Sequence, residues 1–398
     1  MTTATPLPTG ARVLLASNGH GEDQVGARIA EALHAVRPDL RLCALPTVGD
    51  GRAYAAGPAR VIGPRAALPS GGRTVEGVGP FLDDLRAGLV RVTVEQLRQL
   101  RRARADATVA IGDVWIQLLG LLPDAGRRAA VQTLVSVRMH RPGLPGRHLL
   151  RERFTVAERR LLRAAYPQTF VRDPESARWL QAHGVPQARC VGNPMMDRLE
   201  AAPLEEDGSG PRIVLLPGTR GHARRALGAM LAALERLPAV TAVLPWAGDG
   251  PVAAPAGWRQ DAKPVEGGAS ATWRRGRATV RIVAPARFAA AIRWAELAIG
   301  AAGTAHEQAA GLGVPVIAFA CGPLYTPAFL ANQRRLLGEA VHAVPDDPVR
   351  IAAVVEAWTT APEERRRRGA VGRERMGPPG GAARIADALA TGALPDGR

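Results

Sequence analysis

The sequence has few aromatic residues and almost no lysine, and each shortage narrows what the chain can be. Phe, Trp and Tyr make up 4% of the 398 residues, which leaves few side chains on which nucleic-acid bases could stack. Lys263 is the one lysine, so arginine supplies nearly all of the basic charge. We therefore expect no nucleic acid partner. The formal net charge of +16 still suits anionic partners such as nucleotide phosphates or a membrane surface.

Paired cysteines and long apolar runs are also scarce. Cys43, Cys190 and Cys321 are far apart in the chain and predict neither a disulfide framework nor a zinc cluster. Met1–Gly10 lacks the basic start and apolar stretch of a signal peptide, and no later run reaches the roughly 18 apolar residues of a spanning helix. We expect a reduced, cytoplasmic protein that is soluble or peripheral to a membrane.

Short apolar runs alternate with amphipathic stretches along the chain, which predicts parallel strands joined by helices. The strands of the first half are predicted near Arg12–Ser17, Arg41–Pro46, Thr108–Asp113, Ala130–Val135, Thr169–Arg172 and Ala188–Val191, with helices that include Glu22–Val36 and Pro174–His183. Strands of the second half are predicted in RIVLLPG, TAVLPWAG, ATVRIVA, LAIGAAG and VPVIAFA, with helices that include His222–Leu237 and Thr304–Gly313.

A cluster of Pro, Gly, Ser and acidic residues at 200–212 predicts a linker. It separates a Rossmann-like domain at 1–199 from a second one at 213–375, and 376–398 forms a C-terminal helix and tail. We expect the helix at Gly380–Thr391 to pack back across the boundary between the domains. The predicted fold class is α/β, with two doubly wound domains that face each other across a cleft and carry functional loops at the carboxyl ends of their strands.

Two loops of the second domain have the composition of a phosphate site. In LLPGTRGHARRAL, a strand leads through Gly218, Thr219 and Arg220 into a basic helix, whose first N–H groups suit a phosphate. An ordinary βα turn explains this loop alone equally well. In IGAAGTAHEQAAGLG, Gly303 and Thr304 repeat the arrangement, and a carboxylate one turn into the helix suits ribose hydroxyls.

These motifs carry a family resemblance. LPGTRGHA, VGNPMMD, AAGTAHEQAAGLGVPVI, the N-terminal glycine loop and VAIGDVWIQ resemble lipid-A-disaccharide synthase and its relatives. They resemble more distantly the peptidoglycan glucosaminyltransferase that acts on lipid-linked muramyl-pentapeptide. The resemblance spans roughly Arg12 to Val344. It implies a GT-B fold with an N-terminal acceptor domain and a C-terminal UDP-sugar domain, inverting transfer without metal or other cofactor, and a lipid-linked acceptor at the inner face of the cytoplasmic membrane.

The resemblance also assigns donor-binding residues. Gly218, Thr219 and Arg220 match the donor-phosphate turn, and Gly303 and Thr304 match the second nucleotide loop. The ribose-binding acid is Glu307 when counted forward from the threonine, whereas Gln308 takes that place when counted back from Pro315; we favour Glu307. Asn332 and Gln333 are candidates to contact sugar hydroxyls, with an exposed polar helix face as the alternative.

The N-terminal loop SNGHGEDQVGARIAEAL departs from the GxGxxG spacing of dinucleotide sites, and we assign it to the acceptor side. There Gly19 and Gly21 would let the backbone close on the phosphates or the sugar of the donor, and His20 can transfer protons near neutral pH. Glu22 and Asp23 have the alternative explanation that acidic residues are favoured at a helix start. Their close spacing does not predict a complete metal site.

Asp113 follows the predicted strand TVAIGD, so we expect its carboxylate at the carboxyl end of that strand. An inverting transfer needs a base for the acceptor hydroxyl, and Asp113 is our first choice, with His20 second. The alternative is that Asp113 only caps the helix that begins at Val114.

Two stretches bear on the acceptor. Residues 133–150 lack the Trp-containing segment of the synthase, so we expect a changed acceptor or acyl-binding surface. An apolar stretch before Arg127 and Arg128 favours an interfacial anchor on an anionic membrane. Its apolar residues are Trp115, Ile116, Leu118, Leu119, Leu121 and Leu122. A buried helix before a basic turn is the commoner explanation of such a pattern. The alternative functions are a UDP-sugar 2-epimerase-like enzyme and a nonenzymatic nucleotide-sugar-binding protein.

Overall fold

The computed structural model describes residues 5–48, 51–64, 86, 88–133, 135–140, 154–205, 210–219, 221–248, 250–261 and 269–393. Its contacts divide the chain into two compact units, of which the first is Met1–Asp197 with Pro378–Arg398 and the second is Arg198–Gly377. Residues 206–209 of the predicted linker, and most of the segment 133–150, lie outside the described residues.

The first unit is built around a seven-stranded sheet in the order β3-β2-β1-β4-β5-β6-β7, and all of its strand pairs are parallel. Its elements are β1 (Arg12–Ser17), α1 (His20–Val36), β2 (Arg41–Pro46), β3 (Arg60–Val61), α2 (Leu89–Arg102), β4 (Arg104–Ile111), α3 (Val114–Leu119), β5 (Asp124–Gln132), α4 (Val156–Ala165), β6 (Gln168–Val171), α5 (Pro174–Ala182) and β7 (Ala188–Arg189). Strands β1 and β2 have the predicted bounds.

Strand β4 ends two residues before its predicted end at Asp113, for a local reason. Gly112 has φ 134°, which turns the chain out of the sheet, and Asp113 then caps α3. The alternation of strand and helix was visible in the sequence, but this turn follows from a backbone angle that only glycine adopts readily.

The second unit holds an eight-stranded sheet in the order β10-β11-β12-β9-β8-β13-β14-β15. Its elements are β8 (Arg212–Leu216), α6 (Ala223–Leu234), β9 (Val240–Pro245), β10 (Arg259–Asp261), β11 (Ala269–Arg275), β12 (Ala278–Val283), α7 (Phe288–Trp294), β13 (Leu297–Gly300), α8 (Thr304–Gly311), β14 (Val316–Phe319), α9 (Pro327–Leu337), β15 (Val341–Val344), α10 (Pro348–Thr359) and α11 (Pro362–Met376). The sequence did not predict β10 and β11, which extend the parallel sheet by antiparallel pairing.

The C-terminal helix α12 (Gly381–Thr391) belongs to the first unit. It packs against α1, and the side-chain amide of Gln168 donates to the Ala388 carbonyl at 2.7 Å. Its start is held by Asp197, whose carboxylate accepts from the backbone N–H of Ala382 at 2.8 Å. No helix among the described residues is long and apolar enough to cross a membrane.

Candidate functional site

Asn18 and Asp113 meet at the carboxyl edge of the first unit's sheet. Strands β1 and β4 are parallel neighbours whose ends, Ser17 and Ile111, lie in register. The side-chain amide of Asn18 donates to Oδ1 of Asp113 at 2.7 Å, and the same oxygen accepts the Trp115 N–H at 3.0 Å. Asp113 is thus both the cap of α3 and an exposed carboxylate at the predicted strand end, so the two explanations for it are compatible.

Gly112 makes room for this contact. A β-carbon at Gly112 would overlap Oδ1 of Asn18, and the φ of 134° is itself unfavourable for other residues. That Asn18 oxygen is buried and has no hydrogen-bond partner among the described residues. Asn18 and Gly112 were not singled out in the sequence; the sole available signal was their position, each directly after a strand.

The glycine loop carries buried carboxylates beside an exposed histidine. His20 begins α1, is exposed, and has its Nε2 3.5 Å from Nε2 of Gln24. Glu22 and Asp23 lie in the first turn of α1 and are only 6% and 2% exposed. A β-carbon at Gly19 would overlap the Glu22 carboxylate, so this glycine leaves space for the carboxylate beside the loop. Gly21 is buried.

Asp23 belongs to a buried hydrogen-bonded group under this loop. Its Oδ1 accepts from the Ser17 hydroxyl at 2.6 Å, and that hydroxyl lies 3.0 Å from the hydroxyl of Tyr54. Burial and then the charge of Asp23 raise the pKa of Tyr54, which therefore stays neutral. Gly26 leaves space for the Tyr54 hydroxyl, which a β-carbon there would overlap. The group ties the end of β1 to α1 and so fixes the loop that carries His20.

In the second unit, His222 joins two loops that lead into helices. Leu216 of β8 and Gly300 of β13 pair in register, so the loops after them start at the same edge. Nε2 of His222 lies 3.1 Å from the Ala301 carbonyl oxygen. Gly218 has φ 86°, and a β-carbon there would lie 2.7 Å from this ring nitrogen. Thr219 is exposed, and Arg220 lies outside the described residues.

Two buried side chains, His306 and Gln333, support the loop after β13. Gly303 caps α8, which begins at Thr304. Nδ1 of His306 is 2.9 Å from Oε1 of Gln333, whose Nε2 in turn donates to the Gly303 carbonyl at 3.2 Å. Burial lowers the pKa of His306 to about 4, so the ring is neutral at pH 7 and carries its proton on Nδ1, facing the amide oxygen.

The other residues that the sequence assigned to the donor are mostly buried. Glu307 and Gln308 are 8% and 5% exposed, so burial does not separate the two choices for the ribose contact. Gln333 is buried, so an exposed polar face does not describe it, and its amide supports the Gly303 loop. Asn332 is half-buried and accepts from Arg335 at 2.9 Å.

Several residues around these loops were missed in the sequence. Beside His222 and His306, Tyr325 packs with its ring 4.7 Å from the His222 ring and 5.2 Å from the Phe329 ring. A single histidine or aromatic residue gives no signal in the sequence that it packs against these loops, because its partners come from a different loop or helix. Within the described part of the chain, no group of three or more His, Cys, Asp or Glu side chains is arranged to hold a metal ion.

Known structures share this architecture. The glycotransferase of kitacinnamycin has a TM-score of 0.60 and 18% identity, with 96% of this chain and 99% of that chain covered. The glycosyltransferase MurG of Acinetobacter baumannii has a TM-score of 0.53 and 14% identity, with 95% and 99% covered. UDP-GlcNAc 2-epimerase from Neisseria meningitidis, bound to UDP-GlcNAc, has a TM-score of 0.50 and 14% identity, with 95% and 99% covered.

No protein-family model and no curated protein sequence matches the chain. At these identities the structural likeness establishes the fold. The predicted α/β class with two Rossmann-like units of the GT-B type is therefore confirmed, and glycosyltransferases and 2-epimerases both share it.

Proposed function

We propose that the chain is an inverting glycosyltransferase that moves a sugar from a UDP-sugar to a lipid-linked or glycolipid acceptor. The observation that carries the proposal is the pair of glycine loops after β8 and β13, which the 3.1 Å contact between His222 and the Ala301 carbonyl joins. Each loop leads into a helix start, and unpaired N–H groups at a helix start bind phosphate oxygens.

The donor assignment uses the second unit. In this proposal Gly218 and Thr219 contact the diphosphate with Arg220, and Gly303 and Thr304 approach it from the neighbouring loop. Glu307 accepts from the ribose hydroxyls, with Gln308 as the alternative. Arg220→Ala should weaken UDP binding by on the order of 1.5 to 3 kcal/mol, as for a lost charge-assisted hydrogen bond. Unchanged UDP affinity in calorimetry would remove Arg220 from the site.

The acceptor assignment uses the first unit. Asp113 removes the proton from the acceptor hydroxyl, the resulting oxygen bonds to the anomeric carbon, and UDP leaves with the electrons of the broken bond. Asn18 orients the carboxylate of Asp113 through the 2.7 Å hydrogen bond to Oδ1. The second carboxylate oxygen of Asp113 is left for the acceptor. His20 is the alternative base, since its ring is also exposed at this edge of the sheet.

Asp113→Asn keeps the shape of the side chain and removes the base. We expect turnover to fall about 10²-fold or more with nearly unchanged UDP affinity. Asp347→Asn is the control, because Asp347 caps α10 through the N–H of Val349 in the way that Asp113 caps α3, and it should retain turnover. Near-normal turnover in Asp113→Asn with abolished turnover in His20→Ala would make the histidine the base.

A lipid-linked acceptor and a peripheral membrane location are supported by the outer face of α3. Val114, Trp115 and Leu118 are 37%, 47% and 47% exposed, directly after Asp113. The anchor expected from the sequence is smaller in the structure, because Ile116 and Leu119 are buried. Arg127 and Arg128 lie within strand β5.

A second candidate function is a UDP-sugar 2-epimerase, which the similarity to the Neisseria enzyme favours. The two activities leave different products. Transfer releases UDP and yields a glycosylated acceptor, whereas epimerisation yields an isomerised sugar nucleotide.

A further inference from the structure

Glu158 is a buried carboxyl group that the proposed mechanism leaves unused. It lies in the first turn of α4 and is 3% exposed. One of its oxygens, Oε1, accepts from the side-chain amides of Gln117 at 3.1 Å and Gln132 at 2.5 Å. Gln117 lies on α3, the helix that Asp113 caps, and Gln132 is the last residue of β5, the strand next to β4.

The two glutamines also provide a place for a proton. Their own side-chain oxygens are buried and have no hydrogen-bond partner among the described residues. An ionised Glu158 accepts both amide N–H groups and leaves those two oxygens unsatisfied. A protonated Glu158 can donate its O–H to one of them, provided that amide turns. Each protonation state of Glu158 therefore has its own set of hydrogen bonds. The two states differ in the strength of the hydrogen bond between Glu158 and Gln117 of α3.

The balance between these states lies near neutral pH. Burial raises the pKa of Glu158 to about 7, against the hydrogen bonds from Gln117 and Gln132, which lower it, and the negative charge of Asp113 raises it further. Tyr166, at the end of α4, donates its hydroxyl to the Gln117 carbonyl and stays neutral because burial raises its pKa.

The nearby arginines are engaged elsewhere. Arg128 of β5 donates to the Pro123 carbonyl at 3.4 Å. Arg159, next to Glu158 on α4, donates to the Phe154 carbonyl at 3.1 Å and lies over the Trp179 ring. Neither of these hydrogen bonds involves Glu158, whereas the negative charge of Asp113, at the start of α3, raises the pKa of Glu158.

We propose that Glu158 is a positioning residue for Asp113, and that loss of its proton firms the segment that carries the base. The inference rests on the proposed role of Asp113. Charge-assisted hydrogen bonds are stronger than neutral ones, so ionised Glu158 fixes Gln117 and with it the start of α3. A protonated Glu158 holds the same helix less firmly, and Asp113 is less well aimed at the acceptor.

The kinetic test is the pH profile of transfer. We expect wild-type kcat to fall at least about 5-fold between pH 8 and pH 6, as for titration of one positioned group. Glu158→Gln cannot ionise, so its kcat should be lower and flat over this window, with the KM for the donor unchanged. Glu175→Gln is the matched control, since Glu175 is also a first-turn helix glutamate of the first unit, and it should keep the acid limb.

A second variant keeps the proposal testable if Glu158→Gln does not fold. Gln132→Met removes one of the two amide donors, so it should move the midpoint of the limb to higher pH. An acid limb with the same midpoint in Glu158→Gln, or an unmoved midpoint in Gln132→Met, would overturn the proposal.

A measurement without turnover separates this inference from the proposed function. The carboxyl carbon of Glu158, identified in ¹³C NMR by its absence from Glu158→Gln, should titrate near pH 7 and at lower pH in Asp113→Asn. A midpoint near the ordinary value for glutamate would overturn the proposal. The expected midpoints in a protein without any transfer activity would refute the proposed function and leave the coupling of Glu158 to Asp113 in place.

Discussion

The side-chain amide of Asn18 donates a 2.7 Å hydrogen bond to the carboxylate of Asp113, across 95 positions of sequence. The contact ties the loop after β1 to the loop after β4, at the edge where parallel strands of α/β folds present their functional groups. It brings the glycine loop and the proposed base together within the first unit.

Gly112→Ala tests whether this contact matters. The new methyl group would overlap Oδ1 of Asn18 at a φ of 134°, so we expect a loss of stability of about 2 kcal/mol or more and a fall in turnover. Gly10→Ala is the control, because Gly10 has φ 71° and open space around it and should lose only about 1 kcal/mol. Equal effects of the two substitutions on turnover would count against a role for the Asn18–Asp113 contact.

Gly218→Ala tests the donor loop. A methyl group at this position would lie 2.7 Å from Nε2 of His222 and 3.1 Å from the Ala301 oxygen, and would push the two loops apart. We expect UDP affinity, measured by calorimetry, to fall about 10-fold, or about 1.4 kcal/mol. Gly221→Ala, in the same loop but with nothing within 4 Å, should bind UDP normally. Normal binding by Gly218→Ala would mean that UDP does not use this turn.

His306 predicts an acid-sensitive second unit. The pKa of its ring is lowered from 6.5 to about 4, so the unfolded chain takes up a proton at higher pH than the folded one. The resulting stability is fully present above pH 6.5 and is lost as pH falls towards 4, by on the order of 3 kcal/mol. Unfolding of the wild type and of His306→Gln, followed from pH 7.5 to 4, should show a shallower dependence in the variant. Parallel curves would contradict the buried, neutral histidine.

The apolar face of α3 predicts membrane binding. We expect the protein to sediment at low salt with vesicles of phosphatidylglycerol and phosphatidylethanolamine, and Trp115→Ser with Leu118→Ser to reduce binding by about 5-fold or more. Val349→Ser, which removes a 52% exposed valine from α10, should bind as the wild type does. The peripheral-membrane proposal should be abandoned if the unaltered protein stays in the supernatant.

The sequence predicted the strands that appear as short apolar runs between turn residues. Strand β1 at Arg12–Ser17 and strand β2 at Arg41–Pro46 were placed correctly, because each is a short apolar run that ends at a polar or turn residue. The antiparallel strands β10 and β11 were missed, because Arg259–Asp261 has no apolar residue and carries no strand pattern. Their place depends on pairing with β12, which no local signal contains.

The sequence singled out candidate residues in the loops that follow strands. Asp113, Gly218 and Gly303 lie in such loops, after β4, β8 and β13, and their roles stay predictions. Glu158 contacts Gln132, 26 positions away, and has no neighbouring motif that would identify it. Gln333 was singled out for a sugar contact, but its contact with His306, 27 positions away, has no signal in the sequence. A buried glutamate and an exposed one look the same in sequence, and only the packing of α4 on α3 and β5 distinguishes them.

The most direct test of the central claim is an assay of product identity. The protein would be incubated with UDP-N-acetylglucosamine labelled in the sugar and with an extract of bacterial lipids. Both phases would be separated by chromatography that resolves the epimers of the UDP-sugar, and the products would be identified by mass spectrometry. The proposed function predicts equal amounts of free UDP and of labelled sugar in the lipid phase, with Asp113→Asn forming about 10²-fold less of both. Labelled sugar that stays on UDP as an epimer, or bound UDP-sugar without any turnover across a panel of donors and lipid extracts, would contradict it.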